Sequence, residues 1–123
     1  MGADILLVDD DPKLLEIVSV SLGRQGYRVR TAATGREALE HASGSPPHLL
    51  ILDLDLPDMS GIDVIRRARV QRPQIRTVLM SGYPSTHPAV AGMLSEVSAY
   101  FSKPVDVDLL LEVVVPGGSS LDS

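Results

Sequence analysis

The chain has 123 residues, 44% of them hydrophobic and 22% charged, with a net charge of −5 and no cysteine, as expected of one ordinary soluble domain in the cytoplasm. The lack of cysteine excludes disulfides and Cys-ligated zinc, and the acidic charge argues against direct nucleic-acid binding, because phosphate neutralisation needs surplus Lys and Arg. No apolar stretch approaches the roughly 20 residues of a membrane helix and no signal-peptide pattern opens the chain, so no membrane partner is expected.

The first half of the chain alternates between apolar runs and helical periodicity. Apolar runs bounded by turn residues predict buried strands, and apolar residues at helical spacing between Gly and Pro predict helices. Asp11 precedes Pro12, a sequence typical of a helix N-cap followed by the first helical residue. The predicted elements are a strand at 5–8, a helix at 12–26, a strand at 27–31, a helix at 35–44 and a strand at 49–52.

The second half continues this alternation and ends in a polar segment. Its predicted elements are a helix from about 62 to 72, a strand at 77–80, a helix at 89–94, a strand at 98–102 and a helix at 106–115. The helix at 89–94 is short and interrupted by Gly92, so we expect it to be the least stable element. We expect one domain over residues 1–115, with residues 116–123 forming a flexible tail.

Five strands that alternate with five helices through short connections predict an α/β domain. Parallel strands need crossover helices, which cover both faces of the sheet, so the architecture expected is a three-layer αβα sandwich.

Polar residues stand where the predicted strands end. Asp9 and Asp10 follow the first strand, Asp53 follows the third, Ser81 the fourth and Lys103 the fifth. Because the carboxyl ends of parallel strands share one edge of the sheet, these side chains converge there. Three neighbouring carboxylates need a compensating cation. An all-oxygen ligand set favours Mg²⁺, with Mn²⁺ as an alternative, and the lysine and hydroxyl suit a phosphoryl group.

Four ordered motifs carry a resemblance to a known family: VDDDP at 8–12, LDLDLPDMSG at 52–61, MSGYP at 80–84 and AYFSKP at 99–104. From Ile5 to about Val115 the chain resembles the receiver domain of two-component response regulators. The resemblance implies a flavodoxin-like fold with sheet order 2-1-3-4-5. It also implies a signalling phosphoacceptor, rather than a conventional enzyme, that catalyses its own phosphorylation and dephosphorylation. The implied partner is a histidine kinase or a histidine phosphotransfer protein.

The resemblance also assigns the central residues. Asp53 would be the phosphoacceptor and, with Asp10, a direct Mg²⁺ ligand, whereas Asp9 would bind the ion through water. The backbone carbonyl of Asp55 would complete the protein ligands. Lys103 would pair with the acceptor carboxylate and then with the phosphoryl group.

Further residues match the family's switch positions. The Ser81 hydroxyl would contact a phosphoryl oxygen, and Tyr100 would turn inward when Ser81 moves. Asp55 and Tyr83 occupy positions that tune the lifetime of the phosphoryl group. The Lys103-Pro104 peptide bond would be cis.

Other functions fit the motifs less well. Asp53 and Asp55 resemble the DxDx motif of haloacid-dehalogenase-type phosphatases, but that motif follows the first strand of a larger domain. A non-phosphorylated pseudo-receiver, acting only as a binding module, is disfavoured by the complete acid set. An EF-hand loop is excluded because Val64 stands where its Glu belongs, and no Gly is followed by Lys as a phosphate loop requires.

The last predicted helix is apolar around more than one face, since Leu109, Leu110, Leu111 and Val113–Val115 are all hydrophobic. Such a helix favours burial on a second side. We therefore expect the face formed by the fourth helix, fifth strand and fifth helix to pair with a second copy or a partner domain.

The chain is expected to be a single-domain regulator or a receiver from a longer protein. His41, His48 and His87 lack metal-ligand spacing and are expected to be ordinary surface or partly buried residues.

Overall fold

A five-stranded parallel sheet forms the centre of the structure, a computed structural model that describes residues 3–115. Its strands are β1 (Asp4–Val8), β2 (Arg28–Ala32), β3 (Leu49–Asp53), β4 (Arg76–Ser81) and β5 (Ala99–Ser102). They lie in the order β2-β1-β3-β4-β5. The predicted fold class and sheet order are therefore confirmed. The predicted tail at 116–123 lies outside the described residues.

The helices begin where the sequence supplies a cap or a proline. They are α1 (Pro12–Arg24), α2 (Gly35–Gly44), α3 (Gly61–Gln71), α4 (Pro88–Ala91) and α5 (Val107–Val114). Asp11 caps α1 by accepting the Lys13 N–H at 3.0 Å, and Asp106 caps α5 by accepting the Leu109 N–H at 3.1 Å. Within residues 3–115 none of these helices has the length and hydropathy that crossing a membrane requires.

Two hydrophobic clusters, one on each face of the sheet, hold the helices in place. Because successive strand residues point to opposite faces, Leu50 and Leu52 join α2, α3 and α4 in one cluster, whereas Leu49 and Ile51 join α1 and α5 in the other. All five residues of β3 are buried. The central strand is thus buried on both faces, as its continuous apolar run predicts.

Most predicted bounds lie within one or two residues of those observed, and two of the differences have a visible local cause. The strand predicted at 27–31 lies one residue later, because Tyr27 is used in the turn after α1, where its N–H donates to the Leu22 carbonyl. The helix predicted at 89–94 is regular only at Pro88–Ala91 and then continues as turns. Gly92, with no side chain to restrict the backbone, stands where the regular helix ends.

The apolar surface of α5 is smaller than its composition suggests. Leu110 and Val114 are fully buried, and Leu111 and Val113 are half-buried against the same cluster. Leu109 is the large apolar side chain of this helix that stays exposed, at 48%. Most of the apolar excess is therefore used within the domain.

Candidate functional site

Parallel register brings the polar residues at the strand ends to one edge of the sheet. Val8 pairs with Leu52, Asp53 with Met80, and Ser81 with Ser102. The residues that follow or close these strands therefore meet at the carboxyl edge, which is where ligands bind in open α/β sheets.

Three carboxylates form the centre of this edge. Asp9, Asp10 and Asp53 each place a carboxylate oxygen within 4.8 Å of the others. Asp9 is fully buried and Asp53 is 5% exposed, whereas Asp10 is open to solvent. The cluster thus combines two desolvated acids with one that is exposed to solvent.

Lys103 is the cation nearest to these acids in the described part of the chain. Its Nζ lies 2.8 Å from Asp9 Oδ2 and 2.8 Å from Asp53 Oδ2. Burial by itself lowers the pKa of Lys103, but its close contacts with the carboxylates of Asp53 and Asp9 outweigh that effect and raise the pKa above its ordinary value. The ammonium therefore stays charged at neutral pH.

One lysine does not compensate three acids. Burial, the largest effect, raises the pKa of Asp9 even though Lys103 and the Asp11 N–H favour its ionised form. Burial, followed by the charge of Asp53, likewise raises the pKa of Asp55. Asp9 Oδ2 is buried and, among residues 3–115, accepts no hydrogen bond of good geometry, so its contact with Lys103 is an ion pair only. A buried carboxylate oxygen without a hydrogen-bond donor, beside two further carboxylates, is suited to coordinating a hard divalent cation.

The loop after β3 is held close to the Asp53 carboxylate. The Asp55 N–H donates to Asp53 Oδ1 at 3.0 Å, and the Gly61 N–H donates to the Leu54 carbonyl at 2.7 Å. A side chain on Gly61 would place its Cβ 2.5 Å from the Asp53 carbonyl oxygen. Glycine is thus required where α3 begins against the end of β3.

Asp58 fixes the outer end of the same loop, a role that the sequence analysis missed. Its two carboxylate oxygens accept the N–H groups of Gly35 at 2.8 Å and Arg36 at 2.9 Å, at the start of α2. These backbone hydrogen bonds, first that of Arg36 and then that of Gly35, lower the pKa of Asp58. Asp58 and Gly35 are 23 residues apart, so no local motif signals this contact.

The loop between β4 and α4 connects Ser81 to the surface. Ser81 is buried, and its Oγ accepts the Tyr83 N–H at 3.0 Å. The half-buried Tyr100 donates its hydroxyl to the Tyr83 carbonyl. The Tyr83 ring stacks on His87 with centroids 4.0 Å apart, and His87 Nδ1 accepts the Ala89 N–H at 3.1 Å to cap α4. In the sequence, Pro88 could have indicated this cap, because proline favours the first position of a helix and the residue before it is then the N-cap.

All of the predicted site residues lie at this edge, and the Lys103-Pro104 peptide bond is cis. Residues 5–115 match the family model described as the response regulator receiver domain. The chain belongs to this family.

Relatives of the receiver domain are found among bacterial transcriptional regulators. The chain is 34% identical to the probable transcriptional regulatory protein TcrX of Mycobacterium tuberculosis, covering 85% of this chain and 44% of that protein. It is also 34% identical to the photosynthetic apparatus regulatory protein RegA of Cereibacter sphaeroides, with coverages of 98% and 67%. The receiver domain thus spans about half to two thirds of the length of these relatives.

Solved structures show the same fold. A CheY-like response regulator receiver domain protein from Methanospirillum hungatei is 33% identical, with a TM-score of 0.83 and coverages of 94% of this chain and 92% of that chain. A response regulator from Burkholderia pseudomallei, whose structure contains a phosphorylated aspartic acid, a calcium ion and citrate, is 28% identical, with a TM-score of 0.79 and coverages of 94% and 68%.

Replacing Gly61 by alanine should destabilise the receiver domain by about 1–3 kcal/mol, because the added methyl group meets backbone rather than a movable side chain. Urea unfolding at pH 7 measures the change. Gly23→Ala is the matched control, since nothing lies within 4 Å of a Cβ at that helical position and alanine there should raise stability by up to about 1 kcal/mol. Equal effects of the two substitutions would contradict the close approach at Gly61.

Asp9→Asn should stabilise the metal-free domain at pH 7. The folded state raises the pKa of Asp9 above its ordinary value of 3.8, so the free energy of unfolding falls as pH rises from 3.8 through the folded-state pKa. Asparagine stays neutral and therefore does not cause this loss. The measurement is urea unfolding in the presence of a chelator. Adding Mg²⁺ at ten times its dissociation constant should stabilise the wild type by about 1.4 kcal/mol and the variant by less. As a control, Asp63→Asn at an exposed position should respond to Mg²⁺ as the wild type does. If Asp9→Asn gave the same Mg²⁺ response as the wild type, the assignment of Asp9 to the metal site would be refuted.

Asp58→Asn should lower stability at pH 7 by weakening the contact with α2. Because the folded-state pKa is depressed below 3.8, the contribution of the carboxylate is complete above the unfolded value and is lost as pH falls through the folded one. Unfolding curves of variant and wild type should therefore differ at pH 7 and converge in acid. A difference that does not change with pH would show that the charge is unimportant.

Proposed function

We propose that Asp53 accepts a phosphoryl group from the phosphohistidine of a histidine kinase or histidine phosphotransfer protein, in the cytoplasm. The observation that carries this proposal is the position of the Asp53 carboxylate, held between the acids Asp9 and Asp10 and the Lys103 ammonium at 2.8 Å. A carboxylate there is desolvated, oriented and next to a permanent positive charge, which suits a nucleophile that attacks an anionic group.

Known relatives support the assignment. The Burkholderia pseudomallei regulator carries a phosphorylated aspartic acid together with a calcium ion, and another similar structure, 31% identical with a TM-score of 0.82, is the BeF₃-activated receiver domain of DrrB. The phosphorylated aspartic acid, the calcium ion and the BeF₃ group belong to the structures of those two proteins. For this chain they support phosphorylation of an aspartate beside a divalent cation.

The residues that would hold Mg²⁺ are Asp9, Asp10, Asp53 and the backbone carbonyl of Asp55. When bound, Mg²⁺ would neutralise charge on the transferring phosphoryl group and relieve the repulsion within the acid cluster. Among residues 3–115, Asp9 Oδ2 accepts no hydrogen bond besides its ion pair with Lys103, and the pKa of Asp9 is raised; both features are expected of a ligand prepared for such an ion.

The protein residues supply position and charge. An Asp53 oxygen would form the new P–O bond while the P–N bond of the phosphohistidine breaks, and the imidazole leaves with the bonding electrons. Lys103, whose raised pKa keeps it protonated, would donate to a phosphoryl oxygen. The Asp55 N–H, which now binds Asp53 Oδ1 at 3.0 Å, holds the carboxylate in orientation. Alignment and electrostatic stabilisation account for most of the catalysis in this reaction type.

Phosphorylation would act as a switch through Tyr83. The new group adds roughly one to two negative charges at pH 7, which would attract the Ser81 hydroxyl. Ser81 Oγ now accepts the Tyr83 N–H, and Tyr100 donates to the Tyr83 carbonyl. A movement of Ser81 would therefore disturb Tyr83, whose carbonyl accepts the Tyr100 hydroxyl. The face formed by α4, β5 and α5 would change as a result. This face would present the signal to a partner domain or a second copy. Asp55 and Tyr83, beside the acceptor, would set the lifetime of the phosphoryl group.

Incubation with a small-molecule phosphodonor and Mg²⁺ should add one phosphoryl group, measured by intact-protein mass spectrometry. Asp53→Asn and chelation of Mg²⁺ should both abolish the addition. Asp63→Asn, an exposed acid on α3 outside the cluster, should be modified as the wild type is.

Other outcomes would contradict the proposal. Modification that persists in Asp53→Asn would place the acceptor elsewhere. Continuous phosphate release from many monoesters would favour the phosphatase alternative with Asp53 and Asp55. A protein that binds Mg²⁺ but is never modified, by the phosphodonor or by any phosphohistidine donor, would be a pseudo-receiver binding module.

A further inference from the structure

A cleft of about 560 Å³ opens at the edge of the sheet opposite the acid cluster. His48 directly precedes β3 and Arg76 begins β4, so the cleft lies at the amino ends of the central strands, roughly 13 Å of strand from Asp53. Its volume is within the range of small-molecule sites. The residues that line it are His48, Gln71, Arg72, Pro73, Gln74 and Arg76.

The lining is basic, although the whole chain has a net charge of −5. Two of these residues are arginines, one is a histidine, and none of the described lining residues is acidic. The neighbouring carboxylate of Asp4 is engaged elsewhere, 3.3 Å from Arg30. Within residues 3–115, neither Arg72 nor Arg76 forms an ion pair with a carboxylate. Among residues 3–115, the cleft is thus a local concentration of positive charge without a carboxylate counter-ion.

Arg72 supplies a donor that the described protein leaves without an acceptor. Its Nε is buried and has no hydrogen-bond partner, while its Nη2 donates to the Pro46 carbonyl at 3.2 Å and holds the guanidinium in place. Buried N–H groups in proteins nearly always have a partner, because leaving one unpaired costs free energy. Because the Nε itself is buried, an anion in the cleft would meet the other atoms of Arg72, which lines the cleft.

His48 adds a second donor with a defined tautomer. Its Nδ1 accepts the Asp4 N–H at 3.0 Å. In the neutral imidazole, one nitrogen accepts and the other carries the hydrogen, so Nε2 is left as a donor. The exposed guanidinium of Arg76 completes a set of three donors from three separate points in the chain.

We propose that this cleft binds a small molecule through a phosphate group. Arginine side chains match phosphate oxygens with charge and with paired N–H donors, and three cationic or donor side chains suit a dianion better than a single carboxylate. The amides of Gln71 and Gln74 offer neutral donors and acceptors to the remainder of such a molecule. The site is independent of phosphorylation at Asp53, which lies at the other edge of the sheet.

The probes are inorganic phosphate and adenosine monophosphate, titrated separately into the full chain at constant ionic strength with a chelator present, so that metal at the acid cluster makes no contribution. Isothermal titration calorimetry gives the affinity. Arg76→Gln should weaken binding at least about tenfold, as expected for loss of a charged hydrogen bond. Arg67→Gln removes the same charge from an exposed α3 position outside the cleft and should leave the affinity within about twofold.

His48→Gln and Arg72→Gln should also weaken binding, and Asp63→Asn, at an exposed position of α3 outside both sites, should not. If Arg72→Gln fails to fold, the exposed Arg76 and His48 still test the site. Equal affinities for the two probes indicate that the phosphate group alone is recognised, and tighter adenosine monophosphate indicates contacts with the remainder of the molecule. No binding of either probe at about 10 mM, or an equal loss in Arg67→Gln and Arg76→Gln, would overturn the proposal.

Discussion

The ion pair of Lys103 with Asp9 and Asp53 is the interaction on which the functional edge of this receiver domain depends. One ammonium lies 2.8 Å from each of two buried carboxylates, while Asp10 stands beside them without such a partner in the described part of the chain. The lysine keeps the desolvated acids compatible with folding, yet it leaves the cluster with excess negative charge. That residual charge suits a cation, which the proposed metal site would supply.

The loop after β3 turns this charge arrangement into a defined geometry. Gly61 lets α3 start against the carbonyl of Asp53, and Asp58 ties the loop to the first N–H groups of α2. These contacts place the Asp55 backbone, which the proposed metal site uses, between two fixed points. The helix N-terminus contributes here because its free N–H groups and dipole favour a carboxylate.

The two edges of the sheet carry opposite charge. At the carboxyl edge the strands deliver acids to the proposed phosphoacceptor site, whereas at the amino edge His48, Arg72 and Arg76 line a basic cleft. The five residues of β3 connect these edges through the core. One domain of this size thus offers two chemically distinct surfaces separated by a rigid, fully buried strand.

The sequence by itself determined the sheet, its order through the family resemblance, and the convergence of Asp9, Asp53, Ser81 and Lys103. It could do so because burial patterns are local and because parallel strands necessarily end at one edge. Only the tertiary structure revealed the contact of Asp58 with α2, the link from Tyr100 to Tyr83 and the basic cleft. Each of these joins residues that are distant in the chain, through side-chain directions and distances that no local spacing encodes. The partial burial of α5 was likewise decided by packing, since composition gives the amount of apolar surface but not the neighbours that cover it.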